Sequence, residues 1–156
     1  MELDRSLFRG NPVARMLVSV DALENGEPQG EFLSIYMSEP EPFSGIIQMV
    51  NGMDSYFDRV DYPQAYNAYR TFDGTRQPGS SDKDGLRPVS EDLFDVKRGT
   101  LCTFLIQVLF RQNTDWQGVV TWMEDKKTQR FRSTLEMMKL MQHALDSVGG
   151  GDFGEW

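Results

Sequence analysis

The stretch Phe104 to Leu145, FLIQVLFRQNTDWQGVVTWMEDKKTQRFRSTLEMMKLMQHAL, reads as a strand, a tight reversal, a second strand and a helix in unbroken order. Shifting the chain against itself by 88 residues lays residues 14–57 on 102–145 without a gap. Leu17/Leu105, Val20/Val108, Asn25/Asn113, Gln29/Gln117, Gly30/Gly118, Phe43/Phe131, Met49/Met137 and Met53/Met141 then coincide, eight identities in 44 positions. Met16/Phe104, Val18/Ile106, Phe32/Val120 and Ile47/Leu135 are similar pairs between them. The pattern predicts two ββα repeats.

Working outward, Arg15 to Val20 and Leu101 to Arg111 alternate as strands, the second with Cys102, Phe104, Ile106, Val108 and Phe110 on one face. The reversals Glu24 to Gly30 (ENGEPQG) and Gln112 to Gly118 (QNTDWQG) follow. In the first, Asn25-Gly26 is a strong turn signal, because both residues tolerate positive φ. The glycine of each Gln-Gly is the residue to start a bulge or relieve a close approach. Second strands are expected over Glu31 to Met37 and Val119 to Glu124, with apolar residues on both faces. Helices follow with stripes Phe43, Ile46/Ile47, Val50, Met53, Phe57 and Phe131, Leu135, Met138, Met141 or Gln142, Leu145, Val148. Ser133 and Glu136 have the spacing of a capping box. Between the repeats, at 58–100, Ala65 to Phe72 reads as a fifth strand, Asp73 to Arg87 as a turn-forming loop and Pro88 to Asp95 as a short helical turn. The expectation is one α+β domain over residues 1–148, with an antiparallel sheet of about five strands, a pseudo-twofold, two helices on one face, and a flexible tail at 149–156.

A chain of 156 residues, 39% hydrophobic, can bury a core of its own. Its 16 basic and 24 acidic residues give a net charge of −8, which opposes binding a polyanion over a broad surface. Cys102 is the only cysteine, so no intrachain disulfide forms, and its apolar run makes it a small buried hydrophobe of a reducing compartment. No stretch has the length and apolarity of a signal core or a membrane helix, so the expected location is the cytoplasm.

Chemistry-bearing patterns are scarce. The one histidine, His143, lies late on a helix and reads as part of its solvated face, with a catalytic role as the alternative. One His and one Cys cannot assemble a usual zinc cluster, and the spacing of Asp54, Asp58 and Asp61 matches no calcium loop. No phosphate loop or nucleophile elbow occurs, and Asp152-Phe153-Gly154 lacks every other kinase element. Neither a cofactor nor a catalytic set is called for.

Binding candidates are clearer. Lys126, Lys127, Arg130 and Arg132 lead into the second helix, where the first repeat has Glu39 and Glu41. The two loops are either solvated or matched in charge, within the fold or across a homodimer. Trp116 and Trp122, with Arg111 and the basic run, could stack single-stranded nucleic acid, a reading the net charge disfavours, or fill a sheet core. The tail GGGDFGEW offers Phe153 and Trp156 to the protein's own sheet or to another protein.

The run of Trp-Gln-Gly, strand, Phe-Arg-Ser and amphipathic helix, WQGVVTW to FRSTLEMMKLM, resembles a group of small uncharacterised proteins of gut Firmicutes, as does PFSGIIQMVNGMDSYFDRVDYPQAYNAYRTF. The resemblance implies a bacterial cytoplasmic protein of the kind carried on mobile elements, and assigns no activity and no site residue. The preferred reading is a non-catalytic protein-interaction module, an adaptor or inhibitor. The alternatives are a single-strand nucleic-acid binder and an enzyme of unrecognised type.

Overall fold

The computed structural model describes residues 14–60, 72, 87–112 and 115–149. They form β1 (Arg15–Glu24), β2 (Glu27–Leu33), β3 (Glu41–Ser44), α1 (Ile46–Val60), α2 (Glu91–Val96), β4 (Cys102–Gln112), β5 (Asp115–Trp122), β6 (Lys127–Phe131) and α3 (Thr134–Gly149). One antiparallel sheet runs β3-β2-β1-β4-β5-β6. The fold is therefore α+β, with six strands among the described residues where about five were expected. The strand expected at Ala65 to Phe72 lies outside them, save Phe72.

The additional strands, β3 and β6, are edge strands of charged and polar residues in which only Phe43 and Phe131 are buried. A strand that buries one side chain has no period to detect. Each phenylalanine is opposite a glycine, Gly30 or Gly118, and is 4% or 1% exposed, which ties the following helix to the sheet. The reversals also contain more strand than expected: β2 begins at Glu27 and β5 at Asp115. Asn25 and Gly26 make the turn at φ 53° and 80°.

Register repeats along the chain. Val20 pairs with Gly30 and Val108 with Gly118; Glu31 pairs with Pro42 and Val119 with Arg130. At the centre Leu17 pairs with Leu105, its own counterpart 88 residues on, with Met16–Ile106 and Val18–Phe104 on either side. Both hairpins carry a bulge at the same place, after Val20 and after Val108. There a Cβ on Gly30 or Gly118 would strike the carbonyl oxygen of Ser19 or Gln107, so glycine is required.

The bulge also corrects a face assignment. Leu109 is the extra residue, which turns Phe110 outward to 49% exposure and Arg111 inward to 4%. Phe110 thus leaves the face shared by Cys102, Phe104, Ile106 and Val108.

Both α1 and α3 pack on one face. Met49, Met53, Tyr56 and Phe57, with Met137, Met141, Ala144 and Leu145, meet Met16, Val18, Phe32, Phe104, Ile106 and Val120. The α3 stripe is rotated from the expected one: Met137 is buried, while Leu135 and Val148 are 56% and 42% exposed. Opposite faces of the sheet carry separate clusters, and on the other one Phe94 of α2 packs against Leu17, Leu33 and Leu105.

Helix caps recur as well. The Ile46 N–H donates to Glu27 Oε2 (3.1 Å), and the Thr134 N–H to Asp115 Oδ1 (2.7 Å). Ser133 Oγ accepts from the Glu136 N–H (3.0 Å), while the Glu136 carboxylate reaches the Arg132 N–H (2.9 Å), one residue beyond the usual capping-box partner.

Candidate functional site

Turned inward by the bulge, Arg111 meets α1. Its Nη1 lies 2.7 Å from Asp58 Oδ1 and 3.4 Å from Asp54 Oδ1, its Nη2 donates to the Phe57 carbonyl (3.4 Å), and the guanidinium stands 5.8 Å from the Phe57 ring centre. Trp116, its cross-strand neighbour, donates from Nε1 to Asp54 (3.2 Å) and packs edge-on against Phe57 at 5.5 Å. Both side chains are 4% exposed or less. They are not available for stacking, and this corrects their candidacy as ligand contacts. Asp54 and Asp58 neutralise Arg111; Asp61 lies outside the described residues. Among the described residues no group of three or more His, Cys, Asp or Glu could hold a metal ion.

The basic run occupies the last edge of the sheet. Lys126 sits at the turn with φ 54°, Lys127 is 3.0 Å from Asp125, and Arg132 is 3.2 Å from Glu136; these lysines and arginines, and Arg130, are exposed. The acidic counterpart, Glu39 and Glu41, lies at the opposite edge, five strand spacings or roughly 24 Å away. The two loops therefore do not meet within the fold.

Backbone phase makes the edges unequal. The Met123 N–H donates to the Thr103 carbonyl (2.9 Å), so Val119 and Thr121 bond toward β4, and Gly118, Val120 and Trp122 toward β6. Their partners Phe131, Gln129 and Lys127 bond inward, leaving the N–H and C=O of Thr128 and Arg130 pointing out. On β3 the outward position is Pro42, which has no N–H. At the ends, the Ser44 and Arg132 N–H groups are taken by Gln48 and Glu136. Among the described residues, the β3 edge is closed and the β6 edge open.

Beside the open edge is a hollow of about 460 Å³ between β4–β6 and α3. Phe104, Val120, Leu140 and Ala144 form its apolar walls, with Trp122, Lys127, Gln129 and His143 around them. Trp122 is half-buried and pairs across the strands with Lys127. Its indole N–H is buried and makes no hydrogen bond of normal geometry among the described residues. In the first half bulk sits deeper, in Phe32 and Tyr56, where the second has Val120 and Ala144. A second hollow of similar size lies there, between residues 36–42 and the end of α1, with Glu39 and Glu41 on its wall.

Cys102 is fully buried, and burial, then the charge of Glu124, pushes its thiol up to about 11, so it stays protonated. Tyr56 is raised to about 12, chiefly by burial, and bonds Ser34 Oγ at 2.6 Å. His143 is exposed, as its helix position suggested, and its place at the hollow was not legible, since that depends on α3 lying back over β6. Phe153 and Trp156 lie outside the described residues. No helix among those residues is long and apolar enough to cross a membrane. Compared with models of protein families, with curated proteins and with solved structures, the chain matches none.

Proposed function

We propose that this protein is a non-catalytic protein-interaction module, an adaptor or inhibitor in a bacterial cytoplasm, that takes an extended partner segment along the outer edge of β6. The observation that carries this reading is the contrast between edges: Thr128 and Arg130 turn backbone donors and acceptors outward, whereas Pro42 removes the donor from β3. An added strand obtains main-chain hydrogen bonds from such an edge, and the surrounding Lys126, Lys127, Arg130 and Arg132 favour an acidic one. We further infer that the halves descend from one duplicated unit, βββα in outline; the 88-residue repeat of register, bulges and caps supports it.

Arg130→Pro tests the function, because it places in β6 the residue that β3 already carries at the equivalent position. Tagged protein, with and without nuclease, should retain a stoichiometric protein partner that the variant loses. Nucleic acid recovered instead, and lost on neutralising the four bases, would favour single-strand binding through Trp122. A partner held equally by Arg130→Pro would move the site away from β6.

A further inference from the structure

Resting on the open edge, we infer that β6 accepts the C-terminal segment Asp152–Glu155 of a second copy of this chain as an antiparallel seventh strand. The geometry sets a sequence requirement. Residues opposite Lys127 and Gln129 lie on the helix face, and those opposite Thr128 and Arg130 on the other. The hollow opens beside Gln129 and is walled by Leu140 and Ala144, so the residue opposite Gln129 is large and apolar. Residues opposite Arg130 and Lys127 face exposed cations and are acidic. Read antiparallel to β6, the incoming order is acid, aromatic, any residue, acid.

Asp152-Phe153-Gly154-Glu155 has that order. Asp152 would face Arg130, Phe153 would enter the hollow beside Gln129, Gly154 would face Thr128, and Glu155 would face Lys127. Direction decides between one copy and two. Helix α3 leaves the Phe131 end of β6 and runs back over it, since Leu140 and Ala144 stand beside Gln129 and Lys127. Continued in that direction at about 1.5 Å per residue, the helix carries its last residue, Gly149, past the Lys127 end. Three residues span at most about 10 Å, and β6 alone covers about that from Lys127 to Arg130. Helix overshoot from Ala144 to Gly149 adds roughly 8 Å. A copy's own tail therefore cannot bring Asp152 to Arg130, and a second copy's can.

The test is sedimentation of the full chain across micromolar to millimolar concentration, with wild type, Arg130→Pro and Phe153→Ala. Self-association should appear in wild type, weaken at least tenfold between 50 mM and 500 mM salt, and be lost in both variants. Added peptide GGGDFGEW should shift the amide resonances of Thr128 to Arg130 in Phe153→Ala protein, and its Phe-to-Ala version should bind at least tenfold more weakly. A monomeric wild type with no peptide-induced shifts would overturn the inference. If Arg130→Pro still loses its cellular partner in that case, the edge reading stands and the occupant is another protein. Self-association that survives Arg130→Pro would likewise overturn the tail contact.

Discussion

Arg111 illustrates how one inserted residue decides what a side chain is for. Without the bulge at Leu109 its parity would put it on the opposite face; with it, a guanidinium enters the core and draws Asp54, Asp58 and Trp116 around it. Its counterpart 88 residues earlier is Leu23, which packs against the same core. Arg111→Ala should destabilise by about 2–4 kcal/mol in urea unfolding, below the range for fully buried pairs because the two carboxylates are about a third exposed. Arg111→Leu, which restores the apolar volume of the first half, should cost less than Arg111→Ala. An equal loss in both would mean that the charge, rather than packing, dominates the site.

Elements are held at their ends by single acids, which gives the fold a defined acid sensitivity. Burial raises the Asp115 pKa, but bonds from the Thr134 hydroxyl, the Thr134 N–H and the Trp116 N–H outweigh it and leave the group below its ordinary value. A depressed folded-state pKa stabilises above the unfolded value of about 3.9, and that contribution fades as pH falls through the folded value. Asp115→Asn should therefore cost about 1 kcal/mol at neutral pH, and the gap from wild type should narrow below about pH 4. Thermal melts from pH 7 to pH 2 measure it. The Asp115 cap is not legible in the sequence, because Asp115 acts across a strand and a turn from Thr134, whereas the spacing of Ser133 and Glu136 shows the local half of their box, the Glu136 N–H on Ser133 Oγ, and not the reach of the carboxylate to Arg132. The long strands, the Asn25-Gly26 turn and the short helix near residue 90 were legible from period and turn chemistry. Edge strands β3 and β6 were not, having one buried residue each, nor was the phase of α3, where Leu135 and Met138 compete with Met137 for the core.

At the scale of the molecule, the central β1–β4 pair joins β1–β3 and α1 to β4–β6 and α3, and in it Leu17 lies opposite Leu105, the residue 88 positions on. Both are buried with Leu33 and Phe94. Leu17→Ala and Leu105→Ala should each cost about 3 kcal/mol. In the double variant the losses should depart from additivity by more than about 0.5 kcal/mol, because the two side chains share one cluster. Chemical unfolding of the four proteins checks this, and strict additivity would mean that the halves respond independently at their seam.

Pro42 has a consequence for self-assembly of whole sheets. Sheets that grow into fibres do so by presenting each newcomer with a fresh ladder rung, and that requires donors at both borders. This molecule has a rung on one border and a missing one on the other. A copy approaching β6 with its own β3 would bring no N–H at Pro42, so sheet-on-sheet stacking through these two borders lacks a hydrogen bond at its first step.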